Sequence, residues 1–336
     1  MTVRMCRKCV ITEAFPGIRF DSSGLCSLCS ADNNVEDPGA RKKRLREELE
    51  NVYRTTRGED DYDCLVAYSG GKDSSYALLV LTEEFGLRCL AITIDNGFVS
   101  ERAWANIRLL TDALGVDHET FKPAMGSMRQ IYRESLKGGL HVGAATTRAS
   151  AICNSCIGLI NNHMIKTALQ RRIPIIAGGY LGGQVPKDAS LYEFNPNVMN
   201  QSRQATLARM AGRLGEATAR RYYALREFKQ SGSVLVTNPL LVLAVTETEI
   251  LSALEKFSWQ RPTDTGRHSS NCRLNDLGIK VHLQQFGFHP YTAELAEQVR
   301  QGLMSREEAR ERLQALPDEA KLEGLATELG VAVDRT

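Results

Sequence analysis

No apolar run in the 336-residue sequence approaches the ~20 residues that a bilayer-spanning helix requires; the longest, Leu240 to Val245, falls far short. The start, Met1-Thr2-Val3-Arg4, lacks the apolar core of a secretory leader. Together these absences give a cytoplasmic protein with no membrane segment as the expectation. Charge of either sign is not in excess: 42 Lys and Arg against 40 Asp and Glu leave +2 at pH 7. That balance makes no global case for nucleic acid, although local basic patches stay open. There is no internal repeat and no low-complexity tract. Two common phosphate-binding signatures are missing as well. A Walker A loop would need Gly where Val66 stands and Ser or Thr where Asp73 stands, and the turn after Ala67 holds no G-x-G-x-x-G.

What is present is ordinary globular material with one unusual turn. At 43% hydrophobic and 24% charged residues, the length suffices for one large or two ordinary domains. The apolar run Cys64-Leu65-Val66-Ala67 reads as a short buried strand, and Ser75 to Leu81 has the apolar density of a helix. Between them lies Tyr68-Ser69-Gly70-Gly71-Lys72-Asp73-Ser74-Ser75. Two glycines let the backbone turn tightly, so that successive N–H groups and the positive helix end face one anion. Lys72 adds mobile positive charge, and Ser69, Ser74 and Ser75 add short donors. Asp73 would repel a phosphate unless it holds Mg²⁺ or orients a neighbour.

Downstream the pattern alternates as an α/β sheet should. Arg88 to Ile94 is a second buried strand ending at Asp95-Asn96-Gly97, Glu101 to Leu114 a helix, and Gly115 to Phe121 a third strand. Ile157 to Gln170 is again helical, and Ile173 to Ala177 is a further strand ending at Gly178-Gly179-Tyr180. Ligands of open parallel sheets sit at the carboxyl ends of strands, where Ser69, Asp95 and Gly178 fall. The expected fold class is thus α/β, a parallel sheet with helices on both faces.

The nine cysteines, in a reducing compartment, suit ligands or reactive thiols better than disulfides. Cys6-x-x-Cys9 and Cys26-x-x-Cys29 have the spacing of two knuckles closing one tetrahedral, structural Zn²⁺ site, whose metal would supply the folding free energy of so small a segment. Cys64 and Cys89 fall within strands as small buried hydrophobes. Cys153-Asn154-Ser155-Cys156 stands at a helix start, where the positive helix end should lower the thiol pKa. This pair could bind metal, carry a persulfide or shuttle a disulfide. Cys272 lies apart in Ser269-Ser270-Asn271-Cys272, a small polar setting that suits a functional loop.

Four regions follow: a ribbon at 1–35, a polar linker helix at 36–60, the nucleotide-binding unit at 61–245, and a mainly helical segment at 246–336 that contributes Cys272. Within 181–231, Gln184 and Lys187 precede a basic stretch from Arg203 to Lys229. It carries Arg209, Arg213, Arg220, Arg221 and Arg226 with Tyr222 and Tyr223 interleaved. A lid or an RNA-phosphate surface is conceivable there, and a solvated insertion helix is the more economical reading. Ser305, with Glu308 three residues on, should cap a late helix.

The turn Ser69-Gly70-Gly71-Lys72-Asp73-Ser74 resembles the SGGxDS loop of the PP-loop (HUP-like) ATP pyrophosphatases. The resemblance implies ATP binding, adenylation of a carbonyl or carboxylate oxygen, release of pyrophosphate, and displacement of AMP by a nitrogen or sulfur nucleophile. It also places Ile94, Asp95, Gly178 and Gly179 against the nucleotide. Over most of the chain the order of motifs is similar to N-acetyl sugar amidotransferases: Cys6-x-x-Cys9, Ile18-Arg19-Phe20-Asp21, Gly24-x-Cys26, the loop, Gly86-Leu87-Arg88 and Ser305-Arg306-Glu307-Glu308-Ala309. Those enzymes take ammonia from a separate glutaminase subunit, and Thr2 after Met1 leaves this chain without an N-terminal cysteine glutaminase of its own. In Cys153, Cys156 and Cys272 the sequence also resembles PP-loop tRNA thiolation enzymes, in which such a trio holds a [4Fe–4S] cluster with one iron open to sulfide. Soft thiolates suit that cluster, while a three-cysteine zinc site or a persulfide pair stays open. Cys272 favours sulfur transfer, fed by sulfide or a sulfur-donor protein, to a tRNA or small-molecule acceptor. Ammonia transfer is the alternative and a non-catalytic ATP-sensing module the third; a homodimer stays open.

Overall fold

A computed structural model of the chain describes residues 4–31, 38–186, 189–223, 227–228, 234–243, 245–315 and 317–331. The short helix α1 (Ser27–Ala31) follows the knuckles, and α2 (Pro38–Thr55) comes next. The charge run of α2 is self-compensating, with Arg44–Glu48 at 3.0 Å and Arg46–Glu50 at 2.6 Å. Its opposite side is no linker. Leu49 and Tyr53 are buried in the main core, and the Tyr53 hydroxyl donates to Thr237 Oγ1 at 2.9 Å.

The first strand, β1 (Cys64–Ala67), leads through the Gly-Gly turn into α3 (Lys72–Leu79), which loosens into one π-helical turn at Val80–Glu84. Then come β2 (Cys89–Ile94), α4 (Glu101–Leu114) and β3 (Asp117–Phe121). Helix α4 starts and stops where its chemistry dictates: Ser100 Oγ accepts from Arg102 N–H, and Gly115 adopts the left-handed conformation at its end. Next are α5 (Met125–Leu136), which the sequence pattern did not reveal, and α6 (Ala151–Arg171). Strand β4 (Ile175–Gly178) precedes β5 (Leu191–Glu193), α7 (Pro196–Leu214), α8 (Glu216–Tyr222) and β6 (Leu235–Thr237). The remainder is helical: α9 (Leu240–Leu243), α10 (Glu247–Glu255), α11 (Asn275–Phe286), α12 (Thr292–Arg300), α13 (Arg306–Gln314) and α14 (Glu319–Leu329). The cap at α13 is half the expected box: Ser305 Oγ accepts from Glu308 N–H, but the Glu308 carboxylate pairs with Arg312 at 2.7 Å.

The six strands order as β3-β2-β1-β4-β6-β5. All pairs are parallel except β5 with β6, so the expected all-parallel sheet carries one antiparallel edge strand. Period-two alternation sends the strand residues to two cores. Cys64, Val66, Cys89, Ala91, Ile175 and Ala177 pack with α2, α3 and α4 side chains. Leu65, Leu90, Ile92 and Ile176 pack against Met164, Ile165 and Ala168 of α6. Helices therefore cover both faces, and the near-continuous apolar character of β1, β2 and β4 follows from burial on both sides. In register, Ala67 stands opposite both Ile92 and Gly178, so the carboxyl ends of the three central strands open at one level. Among the described residues, no helix is long and apolar enough to cross a membrane.

Candidate active site

The turn after β1 is shaped by what glycine permits. Gly70 has φ near +72°, and a Cβ there would stand 2.5 Å from the Ala103 carbonyl oxygen. Its own carbonyl accepts from Trp259 Nε1 at 3.1 Å. Gly179, just past β4, lies so close to the start of α3 that a Cβ would meet Ser74 Cα at 2.8 Å. Helix α3 begins at Lys72 with Gly71 in the cap position, so it has no side-chain cap of its own. The cap comes from far along the chain: Lys72 N–H donates to Ser270 Oγ at 2.9 Å.

This turn borders a cavity of about 960 Å³, large for a small-molecule site. Tyr68, Ser69, Gly71, Lys72, Asp73 and Ser74 line it, with Ile94, Gly178 and Gly179 from the neighbouring strand ends. Three expected positions stand elsewhere. Gly70 lies behind the turn. Ser75 is fully buried, its hydroxyl turned to the Tyr68 hydroxyl. Asp95 pairs with Lys122 at 2.8 Å and accepts from Gly97 N–H. Asn96, one residue on, reaches the cavity instead.

Acidic and basic side chains are interleaved beside the turn. Lys72 Nζ sits 2.6 Å from Asp73 Oδ1 and 3.9 Å from Glu247 Oε2, and Glu247 also pairs with Arg312 and Arg261. Glu294 of α12 lines the same cavity and accepts from Gln184 Nε2 at 2.8 Å. Burial pushes its carboxyl up to about 7; Asp73 adds to the rise while Lys72 and Gln184 oppose it. A folded-state pKa above the unfolded value makes the associated stability complete below the ordinary glutamate range and lost as pH rises through about 7. Replacing Glu294 by Gln should therefore flatten the melting-temperature profile between pH 5 and pH 8. A Glu294→Gln protein that loses stability over that window as steeply as the parent would contradict this.

The three cysteines reach the same cavity from two directions. Helix α6 starts earlier than its periodicity indicated, so Cys153 and Cys156 occupy its first turns, capped by Ser150. Cys272 is carried in by a short antiparallel pairing: Ser100 N–H donates to Asn271 O at 2.8 Å, Arg273 N–H donates to Phe98 O at 3.0 Å, and Val99 faces Cys272. Asn96 Nδ2 donates to Cys272 Sγ at 3.4 Å and to Cys156 Sγ at 3.8 Å, while its Oδ1 accepts from Phe98 N–H. The Tyr132 hydroxyl shares a hydrogen bond with Cys156 Sγ at 3.1 Å. The expected lowering of the C-x-x-C thiols is reversed. Burial pushes Cys153 up to about 11 and Cys156 up to about 12, and it raises Cys272 too. Desolvation of the thiolate outweighs the helix end. Thiols so placed stay protonated until a cation or cluster compensates their charge.

At the other end of the chain, Cys6, Cys9, Cys26 and Cys29 are buried with all four sulfurs within 4.8 Å of one another. Cys9 Sγ lies 3.7 Å from Cys26 Sγ, close to the ~3.8 Å edge of a tetrahedron with 2.3 Å metal–sulfur bonds. Among the described residues no other His, Cys, Asp or Glu group of three gathers so tightly. The quartet rests on the C-terminal helices: Arg306 donates to the carbonyls of Cys6 and Cys9, and Leu295, Ala296, Met304 and Ala309 pack against it. A Cys26→Ser substitution should lower bound metal and drop the melting temperature by roughly 5–15 °C, as expected for losing a structural ion. Unchanged metal stoichiometry in that variant would oppose the assignment.

The arginine-rich stretch is largely structural. Arg209 donates to the Leu140 carbonyl, Arg213 pairs with Glu134 at 2.9 Å, and Tyr222 and Tyr223 are buried against each other. Arg220 pairs with Glu216 on the same helix. Lys187, Arg226 and Lys229 lie outside the described residues. Sequence reasoning missed Asn96, Tyr132, Ser270 and Glu294. Two of them carried a signal: Asn96 through its place beside Asp95 at a strand end, and Ser270 through its place two residues before Cys272.

No protein-family model matches the chain. Among curated proteins it is similar to an uncharacterized protein of Methanocaldococcus jannaschii, 23% identical over 310 residues, with 92% of each chain covered. Among solved structures it is similar to the U34-tRNA thiolase NcsA from Methanococcus maripaludis with its [4Fe-4S] cluster. The TM-score there is 0.37 at 16% identity, covering 96% of this chain and 92% of that one. It is also similar to NMN synthetase from Francisella tularensis, with a TM-score of 0.37 at 12% identity, covering 84% of this chain and 100% of the other. The NH3-dependent NAD synthetase from Campylobacter jejuni gives a TM-score of 0.31 at 9% identity, with 44% of this chain and 59% of the other covered.

Proposed function

We propose that the chain is an ATP-dependent sulfurtransferase of the PP-loop ATP pyrophosphatase type. One observation carries the reading: a Ser-Gly-Gly-Lys-Asp-Ser turn at the end of a central parallel strand shares one cavity with three cysteines from distant parts of the chain. In this reading the turn and the positive end of α3 take the phosphates of ATP, and Asp73 takes Mg²⁺ once Lys72 turns to the phosphates. The acceptor's carbonyl or carboxylate oxygen attacks the α-phosphorus. The new O–P bond forms as the bond to the β-phosphate bridging oxygen breaks, and pyrophosphate leaves. A sulfur nucleophile then attacks the activated carbon, and AMP departs with the acceptor oxygen.

The donor chemistry of the trio fits an iron–sulfur cluster. Three half-buried thiols border one cavity, with the Asn96 amide donating to two of them and the Tyr132 hydroxyl sharing a hydrogen bond with Cys156. Cys153, Cys156 and Cys272 would hold a [4Fe–4S] cluster, which when bound supplies a site for sulfide. The chain's own contribution is to exclude water around the sulfur, to orient it through Asn96, and to hold the nucleotide opposite. Cys6, Cys9, Cys26 and Cys29 hold Zn²⁺ in a closed, structural role. The acceptor is a small molecule or a tRNA.

Anaerobic purification, iron and sulfide analysis, and assay of AMP and pyrophosphate with sulfide or ammonium as nucleophile test the reading. A brown protein that forms a thiolated product supports it. A colourless protein after iron–sulfide reconstitution that turns over with ammonium salts would replace it with ammonia transfer, fed by a separate glutaminase.

A further inference from the structure

Ser270 stands where two functional halves of the cavity meet. The residue is 7% exposed and borders the same space as the Gly-Gly turn. Its oxygen accepts from the Lys72 N–H at 2.9 Å, the first N–H of an eight-residue helix whose own cap position is a glycine. That geometry is tight: a Cβ on Gly71 would sit 3.0 Å from Ser270 Oγ. A hydroxyl has one proton to give and two lone pairs to accept with. Here one lone pair is used, and among the described residues the proton has no acceptor. The hydroxyl borders the cavity, so its proton can be directed into that space.

Two residues further along, the same segment delivers Cys272. Between them Asn271 is locked by its carbonyl to Ser100 N–H, and Ser269 Oγ accepts from both Asn271 and Cys272 N–H. The segment is thus a short, heavily tied strap with Ser270 at the phosphate turn and Cys272 at the sulfur site.

We propose that Ser270 is a phosphate-contacting residue of the nucleotide site, supplied by the distant C-terminal segment of the same chain, and that it ties nucleotide occupancy to the segment bearing Cys272. Its oxygen keeps the Lys72 N–H satisfied while its proton goes to a phosphate oxygen. The phosphate site is therefore completed by two chain segments 198 residues apart. The contact reads the polyphosphate, not the base or ribose, because it lies at the turn and the helix end. This inference rests on the turn being the ATP site, but holds whether sulfur or ammonia is transferred.

The test is calorimetric titration of the full-length protein with a non-hydrolysable ATP analogue and separately with AMP, for the parent, Ser270→Ala and Ser270→Thr. Hydrogen exchange at the Ser100 and Arg273 amides is followed alongside. Ser270→Ala should weaken the ATP analogue by about tenfold or more, in line with losing a hydrogen bond to a charged group, while AMP changes by less than about threefold. Ser270→Thr, which keeps the hydroxyl, should restore the affinity. Exchange at Ser100 and Arg273 should slow with the analogue in the parent and in Ser270→Thr, but not in Ser270→Ala. Equal loss for AMP and the ATP analogue in Ser270→Ala would mark a merely structural role and overturn the proposal. So would analogue binding that Ser270→Ala leaves unchanged. A parent protein that binds neither nucleotide would overturn the ATP-site reading itself, and with it this one.

Discussion

Cys272→Ala is expected to keep ATP binding within about threefold of the parent yet lose acceptor thiolation by about 10³-fold or more. The separation of effects follows from position. The phosphate turn is held by Gly70, Trp259 and Ser270, none of which uses the Cys272 sulfur. That sulfur instead faces Asn96 Nδ2, which also serves Cys156. The variant should fail to take up iron and sulfide on anaerobic reconstitution, since two thiolates leave half the corners of the cluster without protein ligands. Backbone pairing with Phe98 and Ser100 does not depend on the side chain, so the melting temperature should move by only a few degrees. A Cys272→Ala enzyme that thiolates at the parental rate would remove the trio from the chemistry. One that is colourless yet active with ammonium salts would assign the cavity to nitrogen transfer.

Asp73→Ala should cost formation of AMP and pyrophosphate by about 10²- to 10³-fold without unfolding the protein. Asp73 is only part-buried, and its ion pair with Lys72 is the sole contact at hydrogen-bonding distance found for its side chain among the described residues. Removing the carboxylate leaves Lys72 facing Glu247 and Glu294, so its ammonium should stay turned away from the phosphates, and the Mg²⁺ proposed for this site would lose a ligand. Excess Mg²⁺ or Mn²⁺ should recover part of the rate if metal affinity is what was lost. Parental pyrophosphate release at ordinary Mg²⁺ would take Asp73 out of the site.

The parts of the fold that were legible in sequence are those governed by local chemistry. Cys64–Ala67 and Cys89–Ile94 are apolar throughout because both faces are covered, and α4 is bounded by a serine cap and a left-handed glycine. The four-cysteine quartet followed from spacing alone. What escaped depends on partners far away in sequence. β6 is three residues long and is a strand only because it adds to β4, and β5 only because it adds to β6. The arginines of α7 read as a surface until Glu134 and the Leu140 carbonyl are placed beneath them. The thiol shift was misjudged because a helix start is visible in sequence and burial is not. A strand end likewise marks only a neighbourhood: which of the adjacent Asp95 and Asn96 side chains turns toward the cavity depends on Lys122 and on the Phe98 N–H.

The seating of the cysteine quartet on Arg306 has a consequence for how the molecule is made. The first knuckle leaves the ribosome early, whereas the guanidinium that grips the carbonyls of Cys6 and Cys9 is encoded about 300 residues later. At ordinary translation speeds the interval is roughly 15–60 s. During that time the four thiols lack the surface on which they finally rest. With the Zn²⁺ proposed for this quartet, early metal capture during vectorial synthesis would protect the thiols against stray oxidation and wrong partners. The last helices to emerge complete a joint whose other half has been waiting since the start.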